Sequence, residues 1–259
     1  MTVEQEKQEH SVIVLNTDCP KEYLQQLYGD FADQGIALMK RCDHSNYITS
    51  FSVFNCFENK FPTIPQLKEK SVVGIYITGS VFDSYSDEHE WIINLRKLMK
   101  NILTNHDEYP PIFAVCFGHQ LVGKVLGSEV IKNPKGLEEG LLEVNLNEKL
   151  QDSLFDGKKS LYMSETHNDI VLSLPEGYEN IGSTPLCTFQ GFYQKGKLMS
   201  WQGYPEFNKD ILLACMKNSV ENGHIRQETY DMEAKRSAEI PNEGEYIGSL
   251  ILKLFKGQI

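Results

Sequence analysis

A chain of 259 residues can bury one substantial core but is short for two full-sized domains. Its formal net charge of -11 argues against bulk electrostatic affinity for nucleic acid or an anionic membrane. Hydrophobic residues at 41% and charged residues at 24% are ordinary globular proportions, and no apolar run is long enough to span a bilayer.

The opening, residues 1–10, is polar and acidic and lacks the apolar stretch of a secretory signal; it is expected to be a flexible leader before a single domain at 11–259. Ser11–Asn16 is a short apolar run and predicts a buried strand. Pro20 suits a first helical turn, and Leu24, Leu27, Tyr28, Phe31, Gly35 and Leu38 keep helical spacing to about Cys42. A second strand is expected over 47–55 and a third, the most apolar, over 72–78, ending in Gly79-Ser80. Residues 87–106 read as a helix with acids in its first turn and basic residues further on. After Pro110-Pro111 a strand, Ile112–Val115, runs into Cys116, and a helix is expected over 118–126.

Strands alternating with helices predict a parallel sheet covered on both faces. The second half changes character: shorter strands are expected over 140–146, 160–164, 186–193 and Leu198–Trp201, with a hairpin at Lys195-Gly196-Lys197. These predict a small mixed or antiparallel extension along one edge. Helices over 207–221, 226–238 and 243–256 close the chain. The fold class is therefore α/β, with a mainly parallel central sheet flanked by helices.

The six cysteines, Cys19, Cys42, Cys56, Cys116, Cys187 and Cys215, are scattered, without a C-x-x-C pair or a Cys/His spacing typical of zinc. A reduced, cytoplasmic protein is expected, with at least one thiol free to act as a nucleophile and with no metal or cofactor. Cys116 is the candidate. Ala114-Val115-Cys116-Phe117-Gly118 closes a buried strand and opens a helix, with small residues two places to either side of the thiol, as a sharp nucleophile elbow requires. The helix N-terminus favours thiolate, and the Phe117 N–H can donate to an oxyanion. The other five cysteines read as packing residues.

The segment from Ala114 to Gln120, AVCFGHQ, resembles the nucleophile motif of class I glutamine amidotransferases. Three further segments match in order. Thr78-Gly79-Ser80 resembles the loop whose amide completes the oxyanion hole, which the resemblance assigns to Gly79 and Phe117. Residues 163–169, MSETHND, resemble the H-x-D segment beside the glutamine pocket, and residues 202–207, QGYPEF, resemble the segment that supplies the dyad histidine and its carboxylate. The resemblance, strongest to free-standing members such as gamma-glutamyl peptidases, implies a flavodoxin-like sheet and a small γ-glutamyl substrate such as glutamine. Cys116 would be the nucleophile and Glu206 the orienting carboxylate. Gln120 and His167 would line the substrate pocket, and a separate acceptor subunit is possible.

One position departs from the pattern: Tyr204 stands where the dyad histidine is expected. A phenol, with an ordinary pKa of about 10, is a poor proton acceptor near neutrality. Three readings stay open on sequence: His167 takes over as base, the chain is a binding or regulatory pseudoenzyme, or Tyr204 is an altered position in an active protein. If no base replaces the histidine, hydrolysis or transfer at the γ-glutamyl amide is expected to be impaired. His119 is expected to support packing, Glu206 to accept from Tyr204 or cap the following helix, and Trp201 and Phe192 to be core.

Overall fold

The computed structural model describes residues 9–259; the first eight residues of the expected leader lie outside the described residues. The central sheet is built from the predicted apolar runs, β1 (Ser11–Asn16), β2 (Ser50–Asn55), β3 (Val72–Ile77) and β4 (Ile112–Val115). With short strands β9 (Glu179–Asn180), β11 (Phe192–Gln194) and β12 (Leu198–Trp201) they form seven strands in the order β2-β1-β3-β4-β12-β11-β9. The first five pair in parallel, and β11 and β9 add an antiparallel edge.

Side chains alternate across this sheet with period two, so each strand feeds two cores. Val12, Val14, Tyr76, Phe113 and Val115 point to one face, where they meet Leu38 of α2 (Phe31–Cys42) and Ile247 and Ile251 of α9 (Gly244–Phe255). Ile13, Leu15, Ile75, Ile77 and Ala114 point to the other, against Ile92 and Leu95 of α4 (Glu90–Thr104) and Leu121 of α5 (Phe117–Val125). Burial on both faces is why these strands read as unbroken apolar runs rather than as alternating ones.

The extension folds as two small antiparallel sheets. One joins β10 (Gly182–Ser183), β6 (Glu138–Leu146) and β7 (Ser160–His167); the other pairs β5 (Val130–Lys132) with β8 (Asp169–Val171). Around them lie α6 (Glu148–Leu154), α7 (Lys209–Glu221) and α8 (Gln227–Glu239), while a single turn, α3 (Ile64–Leu67), precedes β3. No helix among the described residues is long and apolar enough to cross a membrane.

Four elements differ from expectation for local reasons. The helix expected from Pro20 to Cys42 is broken into α1 (Glu22–Tyr28) and α2, because Gly29 takes a left-handed φ of 67° and Asp30 caps α2 in a reciprocal box with Asp33. The second strand begins at Ser50 rather than at 47. The strand expected over 186–193 is loop until Phe192, where main-chain pairing with β12 and β9 begins. Conversely, β7 runs past Ser164 to His167, carried by its ladder with β6.

Candidate active site

The strand β4 and helix α5 meet at Cys116, whose φ of 47° and ψ of -102° lie where residues with a Cβ rarely go. Holding such a backbone costs on the order of 1–3 kcal/mol. The bend is fixed from both sides: the Cys116 N–H donates to the Trp201 carbonyl at 2.8 Å, and its own carbonyl accepts from the Gln120 N–H at 3.0 Å. Gly118 lies against β3, so close that a Cβ there would meet Ile77 at 3.0 Å. The thiol is thereby presented at the carboxyl end of the parallel strands, where open α/β sheets bind their ligands.

It opens into a cavity of about 530 Å³ whose wall includes Gln120, Tyr204, His167, Asp169 and Asp83, a size suited to a small-molecule ligand. Burial pushes the Cys116 thiol up to about 12, and the nearby Tyr204 hydroxyl offsets part of that rise. The Tyr204 ring stacks on Phe207 with centroids 4.2 Å apart and sits directly above Gly79. A Cβ on Gly79 would stand 2.5 Å from one ring carbon and 2.8 Å from the hydroxyl oxygen. The phenol therefore occupies ground shared by the thiol and the expected oxyanion loop. Burial, with Cys116 beside it, holds the phenol well above its ordinary pKa, so it keeps its proton throughout the neutral range.

Glu206 departs from both expectations. It is buried, yet neither carboxylate oxygen has a hydrogen-bond partner among the described residues. Tyrosine has one polar atom, and it lies toward Cys116, so nothing on the ring reaches back as an imidazole's second nitrogen would. The Tyr76 hydroxyl approaches Glu206 without reaching hydrogen-bond geometry. The cap of α7 is supplied by Asn208, whose side chain accepts from the Ile211 N–H at 2.9 Å. Burial pushes the Glu206 carboxyl up to about 8, so it is mostly neutral at pH 7.

Gln120 is a buried wall residue, not a surface amide: its Nε2 donates to the Asp169 carbonyl at 3.1 Å and to Gln202 Oε1 at 3.3 Å. His167 also lines the cavity, with one ring nitrogen held by the backbone and the other facing carboxylates. Nδ1 donates to the Asp169 carbonyl at 3.1 Å, while Nε2 is faced by Glu138 at 3.0 Å and Glu165 at 3.4 Å. Nε2 is turned toward these two carboxylates without a hydrogen bond, and no hydrogen bond joins the ring to Cys116, so His167 is not engaged as its base in this geometry. His119 is a packing residue as expected, with Nδ1 2.9 Å from Ser200 Oγ and its ring 4.4 Å from that of Phe192. Burial lowers it to about 3, which keeps it neutral.

Asp83 was not among the expected site residues, and Asp169 entered only as the acid of the H-x-D segment, yet both line the cavity. Burial, with Asp83 adding to it, pushes Asp169 up to about 6. Asp83 lies three residues after Ser80 in a loop with no periodic signal.

The sequence profile of Glutamine amidotransferase class-I matches residues 44–212. The chain belongs to this family. Among class I glutamine amidotransferase relatives, it is 36% identical over 251 residues to the Saccharomyces cerevisiae protein YLR126C, covering 96% of this chain and 98% of the relative, which is itself provisionally named a glutamine amidotransferase. It is 28% identical over 242 residues to gamma-glutamyl peptidase 2 of Arabidopsis thaliana, covering 92% of each. In fold it is similar to a glutamine amidotransferase from Thermotoga maritima, with a TM-score of 0.70 at 19% identity over 96% of this chain and all of the other. The mainly parallel sheet with a small antiparallel extension is thus the class I fold, as the sequence led one to expect.

Proposed function

We propose that the cavity receives a γ-glutamyl amide, glutamine or a γ-glutamyl peptide, with its δ-carbonyl carbon against Cys116, and that Tyr204 keeps turnover far below that of a Cys–His pair. The observation that carries this reading is the strained elbow at Cys116 facing a phenol rather than an imidazole. In the forward step the Cys116 sulfur bonds to the δ-carbon, and the carbonyl electrons move to an oxygen held by the Phe117 and Gly79 amides. The C–N bond then breaks, the amine leaves with one proton, and water later cleaves the thioester. Each stage needs a group that accepts a proton near neutrality and returns it. A phenol held well above 10 returns protons but does not accept them, and Glu206 cannot reach the thiol through it. Losing a positioned base costs about 10²–10⁴-fold in rate.

A second reading, a γ-glutamyl-binding module without turnover, is favoured by the phenol standing against both Cys116 and Gly79. Hydrolysis of glutamine and of glutathione-type peptides by wild type, Tyr204→His and Cys116→Ala separates the two. Slow, Cys116-dependent turnover in wild type that rises at least 10²-fold in Tyr204→His supports the first. Turnover in Tyr204→His alone supports the second. Equal rates in wild type and Tyr204→His refute a suppressing role for Tyr204, and no hydrolysis and no calorimetric binding in any variant refute the γ-glutamyl site itself.

A further inference from the structure

Behind the cavity wall the topology gathers side chains that lie far apart in sequence. Glu138 opens β6, Glu165 and His167 close the facing strand β7, and Cys187 lies in the loop between β10 and β11. A carboxylate oxygen of Glu138, a ring nitrogen of His167 and the Cys187 sulfur all fall within 4.8 Å of one another, and all three residues are buried. Glu165, with no exposed surface, brings a carboxylate oxygen to 3.4 Å from His167 Nε2.

The Nδ1 hydrogen of His167 follows from its partner. Nδ1 sits 3.1 Å from the Asp169 carbonyl, which only accepts, so Nδ1 carries a hydrogen and Nε2 is the ring atom placed to meet a metal ion. Glu138 Oε2 is 3.0 Å away, yet Nε2 has no hydrogen-bond partner among the described residues, because the oxygen lies off the direction of a ring N–H. Both oxygens of Glu165 are likewise unpartnered. A buried nitrogen and a buried carboxylate left this way are each costly unless something joins them.

The surroundings look built to orient ligands. Glu138 is held by the Thr184 hydroxyl at 2.6 Å and by Gln190 Nε2 at 3.0 Å, and the Cys187 N–H donates to the same Thr184 oxygen at 3.0 Å. Outer contacts of this kind, including a histidine that donates its other N–H to a backbone carbonyl, fix metal ligands in place.

We propose that Glu138, His167 and Cys187, with Glu165 beside them, bind a divalent transition-metal ion of the zinc type. One nitrogen, one sulfur and carboxylate oxygens make a borderline-soft set that zinc accepts. The Glu138 carboxylate and a Cys187 thiolate balance the two positive charges inside the protein. On binding, the Cys187 S–H bond breaks, a sulfur–metal bond forms and one proton leaves to solvent. The ion ties β6, β7 and the 184–191 loop together. Glu165 packs directly beneath Gly203, in contact with the position a Cβ would take, so the same ion steadies the segment that carries Tyr204. No C-x-x-C or Cys/His spacing announces the site, because its ligands come from separate strands and a loop. The inference does not rest on the γ-glutamyl reading.

The test is metal titration of purified, chelator-treated full chain. Elemental analysis is expected to give one zinc per chain, and Co2+ to give a near-ultraviolet thiolate-to-cobalt band. Cys187→Ser should lose that band and weaken zinc roughly tenfold or more, while Cys116→Ser keeps both. Less than stoichiometric zinc at large molar excess, or a cobalt band that disappears in Cys116→Ser and persists in Cys187→Ser, overturns the proposal. Should Cys187→Ser fail to fold, zinc stoichiometry in wild type and the cobalt spectrum of Cys116→Ser decide it alone.

Discussion

Replacing Tyr204 with histidine should change the reactivity of Cys116 before any substrate is involved. In the wild type, burial lifts this thiol from its ordinary 9 to about 12. Such a rise disfavours the thiolate by roughly 4 kcal/mol, so that at pH 8 about one molecule in 10⁴ carries it, against about one in ten for an unperturbed thiol. An imidazole at position 204 offers the thiolate a cationic partner and gives Glu206, now mostly neutral, a second ring nitrogen to hold. Thiolate at pH 8 should then become the major form, a gain of roughly 5 × 10³-fold or more. Iodoacetamide alkylation read by peptide mass spectrometry across pH 6 to 10 measures this. Exposed Cys19 is the internal reference in the same digest. The wild-type Cys116 rate should climb with pH without levelling, and the Tyr204→His rate should level below pH 8. A wild-type midpoint below 9, or the same profile in both proteins, would refute the reasoning from burial.

Three further outcomes follow from the same geometry. Glu206 has its folded pKa raised to about 8 from an unfolded value near 4.5, so the folded state holds the extra proton between those values. Its stabilising effect is complete below about pH 4.5 and is lost as pH rises through 8; Glu206→Gln should flatten that part of a urea-denaturation series against pH. Gly79→Ala should destabilise by about 1–3 kcal/mol, since the new methyl meets the Tyr204 ring, and most of that loss should vanish in a Tyr204→Ala background, as a thermal double-mutant cycle would show. Asn242 binds Ser164 Oγ at 3.1 Å, the Tyr204 carbonyl at 3.2 Å and the Phe207 carbonyl, so Asn242→Ala should cost about 2 kcal/mol and lower the melting temperature by roughly 4–8 °C.

What the sequence disclosed follows from the range over which each signal acts. The apolar runs of β1, β3 and β4, and the turn at Cys116, are local and were legible, because strand burial and elbow sterics act within a few residues. The break at Gly29-Asp30 was local too, but the helical spacing of Leu27, Tyr28 and Phe31 continued across it and hid a cap. The loop before Phe192 read as strand because Phe189 and Phe192 are apolar, whereas pairing depends on which strands lie alongside. Tyr204 was visible as the residue standing where the resemblance led one to expect a histidine. Its contact with Gly79, and the isolation of Glu206 that comes with it, arise between segments over a hundred residues apart, and only the assembled fold reveals them. The engagement of His167 by Glu138 and Glu165 is of the same kind.

The absence of a side chain at Gly79 has a genetic consequence. The phenol at position 204 lies in space that a glycine already leaves open, so its accommodation requires no compensating change in the opposite wall. Tyrosine and histidine codons differ by one base. A single nucleotide therefore separates the chain described here from one carrying cysteine, histidine and glutamate at positions 116, 204 and 206, and that substitution would replace a larger ring with a smaller one.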